Sequence, residues 1–167
     1  FGKSLECGTC SMEGVVFMKV VILAGGMGTR ISEESQLKPK PMIEIGERPI
    51  LWHIMKWYAS FGFQEFIICC GYKGYMIKNY FVNYYSYQGD NTFDLRTNSH
   101  KISGNTKEPW KVTLADTGLR TKTAGRLLAV RDYIGKEPFM LTYGDGVADV
   151  DISKLLQYHS IKRRTIT

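Results

Sequence analysis

The chain has 167 residues, 44% of them hydrophobic and 23% charged, enough for one globular domain with a real core. Its formal net charge of +6 suits anionic ligands, but the one dense basic cluster, Lys162-Arg-Arg164, reads as solvated surface, so no nucleic-acid partner is expected. No segment approaches the ~20 apolar residues of a membrane-spanning helix, and the expectation is a cytoplasmic protein with no membrane partner.

Residues 1–17 precede Met18 and read as a non-native or disordered leader, which leaves 18–167 as the domain. Glu6, Glu13 and Lys19 spoil a secretory signal, and the Cys7-x-x-Cys10 pair has no second pair to complete a zinc site. Val20 to Leu23 form a short apolar, β-branched run expected to be a buried strand. Gly25, Gly26 and Gly28 then let the backbone turn and face its amides outward, a ready cradle for a polyphosphate. The same glycines would serve a ligand-free tight turn equally well. Thr29, Arg30 and Lys40 tip the reading toward phosphate, because the two cations add charge that amides cannot supply. The stretch lacks the Lys-Ser/Thr pair of a Walker loop, and Ile31 stands where the dinucleotide fingerprint needs its third glycine.

Farther along, Pro49 suits a first helical position, and Ile50, Leu51, Ile54, Met55 and Tyr58 recur at helical spacing up to a stop at Gly62. Phe66 to Cys70 is the second strand, with Cys69 and Cys70 pointing to opposite faces as small hydrophobes. Tyr75 to Tyr85 reads as an aromatic helix whose Tyr80, Phe81 and Tyr84 serve core or interface. Residues 86–109 are polar and irregular, with a small hairpin expected from Phe93–Arg96 and Lys101–Ser103 and a subunit contact plausible there. Val112–Ala115 resumes the strand pattern, followed by a helix over Gly125–Ile134, a strand over Phe139–Tyr143 and a helix over Asp151–His159. His53 and His159 fall in helix patterns and read as structural. This βαβ order implies an α/β fold with a doubly wound, mostly parallel sheet and ligands above the strand carboxyl ends. Three segments would converge on that rim: Gly25–Arg30, Thr117–Arg126 and Gly144–Gly146.

Leu23-Ala-Gly-Gly-Met-Gly-Thr-Arg30 followed by Lys38-Pro-Lys-Pro-Met42 resembles the signature of the sugar-phosphate nucleotidyltransferases. Ser32-Glu-Glu-Ser, Ile50-Leu-Trp-His-Ile-Met55, Phe66-Ile-Ile-Cys-Cys-Gly-Tyr-Lys-Gly74 and Thr142-Tyr-Gly-Asp-Gly-Val147 are similar to the branch of that family that cytidylylates glucose 1-phosphate. The resemblance runs from Met18 to the last residue. It implies a Rossmann-like nucleotide-diphospho-sugar transferase fold, here its N-terminal part, since family members continue past Thr167 with further strands, a second metal-binding aspartate and a sugar-contacting lysine. The truncated sheet is expected to leave an unpaired edge and to turn over negligibly alone. The implied reaction joins CTP and glucose 1-phosphate into CDP-glucose and pyrophosphate, an opening step toward CDP-linked deoxysugars and polysaccharide. Related sugar-1-phosphate enzymes using UTP, dTTP or GTP, and a non-catalytic nucleotide-binding or assembly domain, are the alternatives.

The resemblance also distributes roles. Leu23, Ala24, Gly25, Gly26, Met27, Gly28 and Thr29 would hold the nucleotide through the main chain, Arg30 would bind the triphosphate, and Lys40 the α-phosphate side or the sugar phosphate. Thr121, Arg126 and Gly144 would complete the nucleotide site, although Arg126 reads equally as an exposed helix-start arginine, and Ala124 stands where the family commonly has glycine. A bare Asp-Gly is more simply a turn. Within Tyr-Gly-Asp-Gly, Asp145 is expected to hold Mg2+ and, with Arg30 and Lys40, to form the catalytic set. A homo-oligomer is expected from the tyrosine-rich helix and the polar insertion.

Overall fold

The computed structural model of the chain describes residues 18–27, 37–104, 108–162 and 164–167. In chain order these form β1 (Lys19–Ala24), a 3-10 turn at Lys40–Met42, β2 (Glu44–Ile45), β3 (Arg48–Pro49), α1 (Ile50–Ser60), β4 (Glu65–Cys70) and α2 (Gly74–Val82). There follow β5 (Asp90–Asp94), β6 (Ser99–Ser103), β7 (Lys111–Asp116), α3 (Thr123–Ala129), α4 (Arg131–Ile134), β8 (Phe139–Tyr143) and α5 (Ile152–Lys162). The leader and residues 28–36, including Gly28, Thr29 and Arg30, lie outside the described residues.

Four strands make the central sheet in the order β7-β4-β1-β8, and every pairing in it is parallel. Parallel sheets survive only with both faces covered, and the sequence supplies the matching continuous apolar runs in β1 and β4. Alternation along each strand sends its side chains to two separate cores. Val20, Ile22, Phe66, Ile68 and Cys70 pack with Leu51, Ile54 and Met55 of α1, Ile77 of α2 and Ile152 of α5. Val21, Ile67 and Cys69 pack on the other face with Val130 and Ile134. The two neighbouring cysteines therefore sit in different cores, as the alternation predicts. Away from the sheet edge, Tyr80, Phe81, Tyr84 and Trp110 interlock with ring centroids 5.2–6.4 Å apart, which makes the aromatic helix a core element.

Among the boundaries that differ from the sequence expectation, three show what sets them. The helix expected over Gly125–Ile134 is two segments broken at Val130 (φ −105°, ψ 7°). Lys19 Nζ donates to Tyr133 O at 2.6 Å and Ile134 O at 3.2 Å, so a β1 cation satisfies the last carbonyls of the second segment and holds it against the strand. The aromatic helix stops at Val82, where the main-chain and side-chain amides of Asn83 both donate to Asn79 O at 3.1 and 2.9 Å and Tyr84 N turns to Phe81 O at 3.2 Å. Pro49 lies one residue before the first helical position and pairs in the two-residue β2–β3 ladder, which is too short to show as a pattern. β8 lies at one edge of the sheet, with Phe139, Leu141 and Tyr143 exposed.

Candidate active site

Counted along the chain, the first strand of the sheet runs next to the second on one side and next to the fourth on the other. That reversal of strand order lies between β1 and β8, and open parallel sheets leave a crevice beyond the strand carboxyl ends at such a point. A cleft of about 440 Å³ occupies this position. Its wall is built by Leu23 to Gly26 after β1, by Lys40 and Pro41 of the 3-10 turn, by Thr121, Lys122, Thr123 and Arg126 around the start of α3, and by Tyr143 and Asp145 at the end of β8.

Each segment is held there by a contact that its sequence specifies. Gly144 N donates to Leu23 O at 2.9 Å, and a Cβ at Gly144 would lie 3.1 Å from that carbonyl and 3.2 Å from Pro41 Cγ. Glycine lets the end of β8 close on β1 without pushing these neighbours back by a few tenths of an ångström, and this closure sets Asp145 at the rim. Pro39 fixes the approach to the 3-10 turn, whose first bond runs from Met42 N to Pro39 O at 2.8 Å, and Pro41 and Met42 are buried beneath it. The neighbouring Lys38 is spent on Glu44 at 2.6 Å, whereas Lys40 Nζ reaches into the cleft, 3.8 Å from Asp145 Oδ2. Lys40 is largely shielded from water (17% exposed side chain), which strengthens its field on anything in the cleft relative to a surface lysine.

Arg126 departs from the exposed, helix-start reading and lines the cleft. It is 5% exposed, not a surface arginine, and its guanidinium donates to Gly25 O at 2.9 Å, Cys70 O at 3.2 Å and Thr117 Oγ1 at 2.5 Å. It sits in a slot between Gly25 and Gly71, where a Cβ on either glycine would strike it. The cleft floor is thus a buried cation held by neutral acceptors, and among the described residues it makes no ion pair. Ala124 is exposed, so the place where the family commonly has glycine makes no close approach; the tight contact falls instead on Gly125, whose Cβ would lie 2.7 Å from Thr121 Cγ2.

The residue range 19–167 matches the profile of the nucleotidyl transferase family. The chain belongs to this family. Its curated relatives include glucose-1-phosphate cytidylyltransferase of Salmonella typhimurium, 54% identical over 90% of this chain and 60% of that protein. The probable glucose-1-phosphate cytidylyltransferase of Bacillus subtilis is 49% identical over 90% of this chain and 59% of its own length. The chain therefore spans about 60% of the curated relatives it matches. Among solved structures, HddC from Yersinia pseudotuberculosis complexed with GMP-PN is 28% identical with a TM-score of 0.59, covering 85% of this chain and 54% of that one. UTP-bound UGPase from Acinetobacter baumannii, 18% identical, shares the fold at a TM-score of 0.63 over 87% of this chain and 53% of its own. The parallel sheet with helices on both faces is the Rossmann-like arrangement of these nucleotidyltransferases.

Of the site residues expected from the sequence, the structure brings Leu23, Ala24, Gly25, Gly26, Lys40, Thr121, Arg126 and Asp145 to one cleft, with Gly144 directly behind its rim. Met27 is 52% exposed and lies outside the lining. Lys122, Thr123 and Tyr143 line the cleft without having been singled out beforehand. Lys122 carries the one usable signal, a second cation beside Thr121 in a segment already assigned to the rim. No cluster of three or more His, Cys, Asp or Glu able to hold a metal occurs among the described residues, and no described helix is long and apolar enough to cross a membrane.

Proposed function

We propose that the full-length polypeptide carrying this chain transfers a cytidylyl group from CTP to α-D-glucose 1-phosphate, giving CDP-glucose and pyrophosphate. The observation that carries the proposal is 54% identity to a glucose-1-phosphate cytidylyltransferase across 90% of this chain, together with a family match over residues 19–167 that takes in every wall of the cleft. In the reaction a phosphate oxygen of glucose 1-phosphate forms a bond to the α-phosphorus of CTP, the bond from that phosphorus to the bridging oxygen breaks, and pyrophosphate leaves with the electron pair. The attacking oxygen is already anionic near neutral pH, so no general base is required, and rate enhancement comes from alignment and from stabilising charge.

The residues divide that task by position. The main chain of Leu23 to Gly26 holds the nucleotide, and Lys40 and the neighbouring Lys122 supply positive charge toward its phosphates. Arg30, outside the described residues, follows this loop in sequence and would extend the charge along the triphosphate. Asp145 fits Mg2+: it is a hard carboxylate at the rim, 45% exposed and aimed at the same space as Lys40, and magnesium commonly takes only one or two protein carboxylates beside substrate phosphates. Bound there, the ion would neutralise like charge between the two phosphate substrates. Thr121 lies on the opposite wall, with room for its side chain only because Gly118 and Gly125 carry no Cβ.

The test is pyrophosphate release by the full-length polypeptide with CTP, glucose 1-phosphate and magnesium, against UTP, dTTP and GTP in parallel. A clear preference for another nucleotide would assign the chain to a sister branch of the family. Nucleotide binding by calorimetry without any pyrophosphate release would leave a non-catalytic domain. The proposal carries with it a cytoplasmic protein and a homo-oligomer, which cell fractionation and light scattering address.

A further inference from the structure

We infer that Thr117 is a positioning residue for this cleft: it fixes the Arg126 guanidinium, and through it the Gly25 carbonyl, so that the loop after β1 is set to receive a nucleotide. The inference rests on the nucleotidyl-transfer reading for what that loop holds. Thr117 and Arg126 are the buried polar or charged residues among those described, at 6% and 5% exposure. A threonine hydroxyl has one proton to give, and an arginine can only donate. The proton goes to Cys70 O at 2.7 Å, which obliges the Thr117 oxygen to turn its lone pairs toward Arg126 Nη1 at 2.5 Å. The hydroxyl direction is therefore determined, and so is the plane of the guanidinium.

From there the constraint passes to the loop. Arg126 Nη2 donates to Gly25 O at 2.9 Å, and the same carbonyl accepts from Tyr72 N at 3.2 Å. The carbonyl that begins the nucleotide loop is thus held from two sides, by a side chain that reaches it across the end of β4 and by the main chain after that strand. Thr117 itself is absent from the cleft lining, so its effect on a ligand has to travel through Arg126. A buried guanidinium with only neutral acceptors is costly to hold in one orientation. Removing one acceptor frees it to turn toward the open cleft.

The experiment compares Thr117→Val, which keeps the shape and loses the hydroxyl, with Thr117→Ser, which keeps the hydroxyl and loses a methyl. Both are made in the full-length polypeptide and titrated calorimetrically with CTP and magnesium. Hydrogen exchange at the Tyr72 amide is followed without nucleotide. The expected result is a roughly tenfold weaker CTP affinity and a roughly tenfold faster Tyr72 exchange in T117V, with T117S within about twofold of the parent, the scale of one hydrogen bond to a charged group. Parent-like values in T117V, or equal impairment of T117S, would overturn the inference, the second because it would mark a packing role. Should T117V not fold, Arg126→Lys keeps the charge without the fork; the same two changes are expected, and a parent-like Tyr72 exchange there overturns the inference. If the parent itself binds no nucleotide, the proposed function falls, while the Tyr72 exchange comparison still decides the role of Thr117.

Discussion

The sharpest consequence of the Arg126 slot concerns Gly71, a residue with no contact to the cleft. A Cβ added there would lie 2.6 Å from Arg126 Nη1 and 2.7 Å from Gly25 O. Neither approach is tolerable, so the guanidinium must turn aside and the Gly25 carbonyl, tied to Tyr72 N, must shift with it. The guanidinium's bonds to Gly25 O and to Thr117 Oγ1 are the ones strained by that movement. Each hydrogen bond to a charged group is worth about 1.5–3 kcal/mol, and with one lost outright and another weakened, Gly71→Ala should destabilise the protein by about 3 kcal/mol. For a chain of this size that corresponds to a fall in Tm of roughly 6–12 °C. Gly26→Ala is the matched control: a Cβ there meets nothing within 4 Å among the described residues, so stability should stay within about 0.5 kcal/mol of the parent. Thermal and urea denaturation of the two variants side by side decide the matter. A Gly71→Ala melting point within about 1 °C of the parent would mean that Arg126 is not clamped between the glycines, and the account of the cleft floor would fail.

Three other perturbations have defined outcomes. Lys40→Gln should lower kcat/KM by roughly a hundredfold, the scale of about 3 kcal/mol of lost charge stabilisation, with little change in melting point, which initial-rate kinetics and calorimetry together check. The thiols of Cys69 and Cys70 are pushed up to about 11 by burial, so both should stay protonated and unreactive toward a thiol reagent at pH 8 until the protein unfolds; prompt labelling of the native protein that peptide mapping assigns to Cys69 or Cys70, as distinct from Cys7 and Cys10, would place that thiol at the surface. Asp151 caps α5 by accepting from Lys154 N at 3.0 Å, and that bond holds its carboxyl below the usual range. A lowered folded pKa stabilises above the unfolded value and is lost as pH falls through the folded one. Asp151→Ala should therefore lower the melting point at pH 7, and the gap from the parent should close in acid; a pH-independent gap would contradict the cap.

What the sequence revealed, and what it concealed, follow from the range over which each signal acts. The apolar run of β1, the strand over Phe139–Tyr143 and the split of Cys69 and Cys70 between two faces depend on neighbours one or two residues apart, and the structure reproduces them. The rim was legible for a related reason: once the strands are parallel, whatever follows their carboxyl ends must gather there, and so Gly25, Lys40 and Asp145 meet although 120 residues separate the first from the last. The break at Val130 was hidden, because the bonds that hold the second segment come from Lys19, 114 and 115 residues earlier in the chain.

The burial of Arg126 was hidden for the deeper reason that an arginine in a sequence carries no mark of its acceptors. Its partners are two main-chain carbonyls and one hydroxyl, contributed by the ends of three different strands, and a carbonyl has the same sequence signature at every position. The trace that does exist lies in the glycines. Gly25 and Gly71 each follow a buried strand directly, and each is required because a side chain there would occupy the space of the guanidinium. Two strand-end glycines facing one another across neighbouring parallel strands leave room for something flat. A single buried arginine fills it here, and the cleft acquires a rigid cationic floor from residues that, taken one at a time, specify only a turn.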